Sequence, residues 1–304
     1  MKVALFVGCK IPAAVPAYET SARAVLARLG VELVGLDFGC CGYPQRSLRL
    51  DAYLLLAARN LALAAARRLE VLTLCQCCYG SLRFAQHLLA GDPAARTFVA
   101  AALAEEGLAL EPSTGVHHLL DLLAKAIGPE AIAARVKKPQ GDRRVAAHYG
   151  CHALRPSDVV ALDNPHAPTV FERLLAAAGA RTVEWPRRLE CCGAPIAAGS
   201  PVLADRLRTA KLADARDAGA GWLCTACPWC QDQLAPAAPE GLRVILYPRC
   251  SGWRSGSARL CWGWTMTCNA SGSFGAAGTR DTHRGLDRRP AQHGVPCCRR
   301  HGFR

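Results

Sequence analysis

The sequence predicts an α/β fold built twice in one chain, each copy a parallel sheet flanked by helices. Three observations predict it. Short apolar segments alternate with longer helical ones, and strand–helix alternation calls for parallel strands with helices over both faces. The same scheme restarts near residue 144. Cysteine recurs twice in one order, as Cys9, Cys40–Cys41, Cys75 and Cys78, then Cys151, Cys191–Cys192, Cys227 and Cys230. Corresponding residues lie 142 to 152 positions apart, and a glycine (Gly42 or Gly193) follows each adjacent pair.

In order, residues 2–8 read as a buried strand, 17–29 as a helix, and 31–36 as a second strand running into Gly39-Cys40-Cys41-Gly42. A long helix spans about 47–69, and a third strand, 71–74, ends at Cys75. Helical patterns at 80–90, 94–106 and 117–126 complete the first half. Residues 136–144 are polar with a Pro139 and a Gly141, and read as a linker. The second half repeats the scheme: strand 145–149 before Cys151, helix 168–178, strand 181–185 before Cys191-Cys192-Gly193, helix 200–218, strand 221–224 before Cys227, and strand 244–247. The domains expected are therefore 1–141 and 142–248, followed by a tail, 249–304. In both halves the thiols fall just past the carboxyl ends of strands, where open α/β sheets gather ligands.

Bulk properties narrow the function. At 51% hydrophobic and 20% charged the composition is globular. No apolar run is long enough for a membrane span, and the first residues are too soon structured for a secretory signal. Seventeen cysteines in such a chain point to a reducing, cytoplasmic setting where thiolates bind metals rather than pair as disulfides. The net charge of +13 is concentrated in the tail, whose 56 residues hold ten Arg and two Asp but no Lys or Glu. The body lacks a basic cluster interleaved with aromatics, so nucleic acid is not an expected partner. The tail has only Leu260, Leu286 and Val295 as branched aliphatic residues, and should be disordered. It carries Cys250, Cys261, Cys268, Cys297 and Cys298 at irregular spacing. Its Arg/Gly/Cys/Trp mixture is what a reading-frame shift near codon 248 of a GC-rich gene produces; resequencing checks this, and a confirmed frame contradicts it.

Soft thiolates select zinc, copper(I) or iron–sulfur clusters. A zinc ion takes four ligands, as does an ordinary cubane cluster. Five ordered thiols per half leave two readings: an unusual cluster, or four ligands and one free thiol. Zinc in one of the two sites stays open. Gly8-Cys9-Lys10-Ile11-Pro12 lacks the GxGxxG spacing, so no flavin or nicotinamide is expected here.

The duplicated Cys…Cys-Cys-Gly…CxxC arrangement looks like the CCG domain, and the chain resembles the B-subunit family of heterodisulfide reductases. The likeness extends to Ala57-Ala58-Arg59-Asn60, to Tyr79-Gly80-Ser81-Leu82 after Cys78, to His148-Tyr149-Gly150-Cys151-His152 with Arg155-Pro156-Ser157-Asp158, and to Cys227-Pro228-Trp229-Cys230. The resemblance implies two tandem CCG domains with Rossmann-like parallel sheets. It also implies two noncubane [4Fe–4S] clusters, one held by Cys9, Cys40, Cys41, Cys75 and Cys78, the other by Cys151, Cys191, Cys192, Cys227 and Cys230. A disulfide or thiol substrate would be reduced or oxidised between them. Electrons would pass through two partners that such a complex carries, a ferredoxin-like iron–sulfur subunit (of the C type) and a flavoprotein subunit (of the A type).

Two other readings remain. The chain could be a CCG electron-transfer subunit of a lactate or glycolate oxidation complex. From a different class, it could be a zinc-stabilised binding module. His152, directly after a ligand position, is the candidate proton donor to a departing thiolate. The extra thiols Cys77 and Cys224 are read as buried core cysteines, and His117, His118 and His148 as structural or exposed.

Overall fold

The computed structural model describes residues 1–136 and 143–247; most of the expected linker, and the expected tail with its five cysteines, lie outside the described residues. The first half runs β1 (Lys2–Phe6), α1 (Lys10–Ala14), α2 (Pro16–Arg28), β2 (Glu32–Val34), α3 (Leu50–Ala65), β3 (Glu70–Thr73), α4 (Gln76–Gly91), α5 (Pro93–Glu105), β4 (Val116–His118), α6 (Leu119–Asp121) and α7 (Pro129–Ala133). The second runs β5 (Arg144–His148), α8 (Cys151–Leu154), α9 (Ser157–Val160), α10 (Val170–Ala177), β6 (Arg181–Val183), α11 (Pro201–Asp217), β7 (Trp222–Thr225), α12 (Pro228–Leu234) and β8 (Arg243–Leu246).

The central strands are apolar on both faces because helices cover both. In β1 every residue after Lys2 is buried, as a parallel sheet in an α/β layer requires. Helix α3 turns Leu54, Ala57, Ala58, Leu61 and Ala62 inward at helical spacing. Asp92 starts α5 by accepting hydrogen bonds from the Ala94 and Ala95 amides at 2.9 and 3.0 Å.

The two sheets have the same topology, β2-β1-β3-β4 and β6-β5-β7-β8, with every pairing parallel. Their registers also correspond: Phe6 lies opposite Thr73 on the β1/β3 pair, and His148 opposite Thr225 on β5/β7. The chain goes out to one side of β1 and returns on the other. The sheet therefore has its topological switch point between β1 and β3, and again between β5 and β7, at the strand ends that lead into the cysteines.

Two details differ from the sequence expectation. The segment expected as helix 117–126 opens as strand β4, with Val71 paired to Val116, and becomes helical only from Leu119, passing into a π-helical turn at Leu122–Ile127. Three residues carry no periodicity, and a partner strand decided their conformation. The short helices α1 and α12, which directly follow cysteines, α8, which begins at Cys151, and α7 and α9 were not expected, being too short to show a helical period.

The halves meet through equivalent contacts. Helix α1 packs on α12, and α8 on α4; these are the same pair of elements with the halves exchanged. Lys10 of α1 pairs with Asp232 at 2.6 Å and lies 4.6 Å over the Trp229 ring. In the reciprocal contact His152 takes the place of Lys10, meeting Cys77 and Gly80. A Cβ on Gly80 would stand 2.9 Å from the His152 carbonyl oxygen. Further hydrogen bonds tie the halves: Tyr79 hydroxyl to Val160 oxygen at 2.6 Å and Tyr18 hydroxyl to Ala226 oxygen at 3.4 Å.

Candidate metal centre

Each thiol is placed by a local device that occurs twice. Cys75 and Cys227 immediately precede α4 and α12 in extended conformation. Their amides donate to Thr73 and Thr225 hydroxyls at 3.1 and 3.3 Å, closing the turn from strand to helix. Cys78 lies in the first turn of α4, where the helix N-terminus favours a thiolate. The adjacent pairs sit on loops that need glycine. Gly42 has φ 81 and Gly193 φ 88, both left-handed. A Cβ on either would lie 2.8 Å from a main-chain oxygen, that of Tyr53 on α3 or Ala204 on α11.

Asn60 fastens the first loop. Its side chain accepts from the Gly39 amide at 2.9 Å and donates to the Cys40 and Leu56 carbonyls, each at 2.9 Å. Replacing it by alanine leaves the Gly39 N–H and Cys40 carbonyl without their side-chain partner. That change is expected to destabilise the chain by about 1–3 kcal/mol, read as a lowered denaturant midpoint with an unchanged slope.

These devices bring the predicted cysteines together. In the first half the thiols of Cys40 and Cys41, Cys41 and Cys78, and Cys78 and Cys75 interact in sequence. Cys9 lines a cavity with Cys41, Cys75, Cys78, Tyr43 and Trp229. In the second half Cys151 meets Cys191, Cys191 meets Cys192, Cys192 meets Cys230, and Cys230 meets Cys227. The two sets are joined: Cys75, Cys77 and Cys227 have their sulfurs within 4.8 Å of one another. A nearly continuous file of sulfurs thus crosses the junction.

Thiols packed this closely titrate as a group. Donation from Cys40 and Cys78 holds Cys41 down, and that thiolate pushes Cys40 and Cys78 up. Cys191 is held down by Cys151 and Cys192, which are themselves pushed up. At the junction Cys230 and Cys75 lower Cys227, while Cys77 rises chiefly through Cys227. Only a minority of these sulfurs can therefore ionise at neutral pH without a cation among them. A metal group removes that restriction and releases protons on binding. Donor type, crowding and enclosure all fit a soft, thiolate-held metal group.

His152 is largely buried, with Nδ1 3.5 Å from the sulfurs of both Cys77 and Cys151. Its ring meets Tyr43 edge-on at 4.9 Å between centroids. Burial pushes its pKa down, while the Cys227, Cys191 and Cys41 thiolates oppose that shift. His117 bonds Asp121 and Glu70 at the surface, and His118 lies near the Ala226 oxygen at 3.2 Å. Cys224 is buried on β7 beside Ala147, the register place that Leu72 holds on β3. Its core reading stands.

Three residues take places that sequence reasoning did not assign them. Cys77 is buried in the core, as expected, but at the junction beside Cys75 and Cys227, at the position Trp229 occupies in the other half. Gln76 is buried with neither amide atom bonded, and its oxygen stands where a Cβ on Gly150 would be. His148 is buried with both ring nitrogens unpartnered, and a nitrogen lies within 4.8 Å of Cys192 and Cys230. Their only signal in the sequence was position inside or just before a cysteine motif.

Fold and site together define a class: a tandem α/β protein with thiol-lined metal centres at matched strand ends. Residues 3–83 and 145–235 each match the CCG cysteine-rich domain. The B subunit of the ferredoxin/F(420)H(2)-dependent CoB-CoM heterodisulfide reductase of Methanosarcina acetivorans is 35% identical over 238 residues, covering 77% of this chain and 79% of that protein. The 8-methylmenaquinol:fumarate reductase membrane anchor subunit of Wolinella succinogenes is 34% identical over 234 residues, covering 76% and 81%. A crystal structure of a hypothetical protein from Helicobacter pylori shares the fold with a TM-score of 0.67 at 17% identity, over 85% of this chain and 50% of that one. The present chain thus spans half the length of that structure. The chain belongs to the B-subunit family of heterodisulfide reductases, a family of CCG-domain proteins. No helix among the described residues is long and apolar enough to cross a membrane.

Proposed function

We propose that this chain is the iron–sulfur subunit of a heterodisulfide reductase-like complex, reducing or oxidising a disulfide or thiol substrate at two noncubane [4Fe–4S] clusters. The domains would be 1–141 and 142–248. Cys9, Cys40, Cys41, Cys75 and Cys78 would hold one cluster, and Cys151, Cys191, Cys192, Cys227 and Cys230 the other. When bound, each cluster supplies one electron at a time, and two together meet the two-electron demand of an S–S bond. The observation that carries the reading is the contact of Cys75 with Cys227, which sets the two thiol sets against one junction instead of apart.

The chain's own residues prepare that junction. Tyr18, Tyr79 and His118 hold the two halves together around it. The unpartnered Gln76 amide offers a donor and an acceptor to a bound group. His152 can hold a proton at Nδ1 between two sulfurs. His152→Gln is expected to lower disulfide turnover about 100-fold, within the range for a lost proton carrier. Iron and sulfide content should not change; a proportional loss of iron would instead make His152 structural.

Electrons would be exchanged with two partners, a ferredoxin-like iron–sulfur protein and a flavoprotein. Co-purification from the native source, with both partners retained, checks this. One observation favours a second reading: a relative of comparable identity is named as part of a quinol–fumarate reductase, with no disulfide in its name. On that reading the chain only relays electrons, as in a lactate or glycolate oxidation complex. Addition of thiol to the anaerobic, oxidised protein separates the two. The disulfide reading predicts an altered EPR spectrum of the centres, and the relay reading predicts none.

A further inference from the structure

The two halves correspond in topology and cysteine placement, yet the surroundings of their thiols differ in charge. His148 ends β5 opposite Thr225, in the register that Phe6 occupies opposite Thr73. A phenyl ring behind the first set is thus an imidazole behind the second. That imidazole is fully buried, and neither nitrogen has a hydrogen-bond partner; the Arg188 main chain is near but outside bonding geometry. A neutral imidazole carries one N–H in either tautomer. With Cys192 and Cys230 sulfurs within 4.8 Å of its ring, they are its available acceptors.

A second exchange accompanies the first. Gly42 abuts Tyr53 on α3 and Gly193 abuts Ala204 on α11, so the two helices share one offset, and that offset places Lys211 where Asn60 stands. Lys211 is fully buried. Its ammonium donates to the Arg187 carbonyl and lies 4.6 Å from the Trp185 ring. No carboxylate is within ion-pair distance of it among the described residues. Burial lowers its pKa to about 8, while Cys230, the Glu190 carboxylate, Cys192 and Cys191 favour its charge. A buried ammonium without an ion pair calls for anions close by, and the second thiol set lies close together with Glu190. Near the first set the cations are Lys10, already paired with Asp232, and the half-exposed Arg46.

Resting on the iron–sulfur reading above, we propose that His148 and Lys211 make the second centre the higher-potential member of the pair. The unpartnered imidazole N–H is placed to donate to the Cys192 or Cys230 sulfur once a cluster is bound, and the ammonium supplies positive charge nearby. Net charge and hydrogen bonds to sulfur set cluster potentials, and both favour an added electron at the second centre. His148 and Lys211 are positioning residues: they act on the ligands, one from within 4.8 Å and the other through its charge, and not on the substrate.

The test is potentiometric titration of the anaerobically purified full chain followed by EPR, with Cys41→Ser and Cys192→Ser assigning each signal to its half. The second centre is expected to take its electron first. His148→Phe, the residue the first half carries, and Lys211→Met should each weaken that electron uptake about tenfold, or about 59 mV for one electron. The first centre should not move. Nitrogen modulation of the spin echo is expected on the second centre of the wild type, which needs no variant to fold, and should weaken in His148→Phe to what the Gly193 amide on Cys191 leaves; unchanged modulation in that variant would overturn the His148 bond. Equal potentials, a higher first centre, or no nitrogen modulation in the wild type would overturn the proposal while leaving the function reading intact. A preparation without iron and sulfide would defeat that reading, and this inference with it.

Discussion

Serine in place of Cys41 or of Cys192 is expected to remove one centre and spare the other. Iron and sulfide should fall by about half, since two equal clusters are at stake. Disulfide turnover should fall to background, because one remaining centre cannot deliver two electrons together. The two positions are equivalent in the repeat: each is the second member of a Cys-Cys-Gly pair, and each meets the last cysteine of its CxxC, Cys78 or Cys230. The backbone should survive the change at residue 41, because its carbonyl still accepts the Ser81 hydroxyl at 2.9 Å. Cys224→Ala is the control. Buried at the register place of Leu72, Cys224 should be replaceable without loss of iron. EPR of the two variants, each missing a different signal, checks the assignment; one signal lost in both would refute separate centres.

Alanine at Gly42 is the second large effect expected. A left-handed conformation costs a residue with a Cβ about 1–2 kcal/mol. The added methyl would also press on the Tyr53 main chain and ring at 2.8 Å, and overpacking of this kind adds about 1–3 kcal/mol. Tyr53 cannot swing aside freely: its hydroxyl donates to the Ser81 carbonyl at 2.6 Å, and Ser81 holds Cys41. Loss of about 2–5 kcal/mol is therefore expected, together with incomplete loading of the first centre. Guanidinium unfolding measures the first, and iron per chain the second. Gly193→Ala should do the same to the second half, where Ala204 is the obstacle.

Much of this was legible in the sequence because it is written twice. A duplicated order of thiols placed the strand ends, and apolar strands alternating with long helices identified two parallel sheets. Strand β4 was not legible, since Val116–His118 becomes a strand only by pairing with β3. Helices α1, α8 and α12 are set by the turn at a cysteine, not by a periodic face. The junction was hidden for a different reason. Cys77 and Trp229 look unrelated in sequence, yet they occupy one place in the repeat, and only the pairing of the halves shows Cys77 facing His152 and Cys227. His148 read as structural or exposed; that it is buried with its nitrogens lacking partners depends on the packing around it.

The sharpest single measurement is metal and acid-labile sulfide analysis of the anaerobically purified chain. Two thiolate-held [4Fe–4S] groups predict about eight iron and eight sulfide per chain. One or two zinc ions with no sulfide would contradict the account, because Cys75–Cys77–Cys227 and His148–Cys192–Cys230 would then be structural sites of a binding module rather than parts of a redox pair.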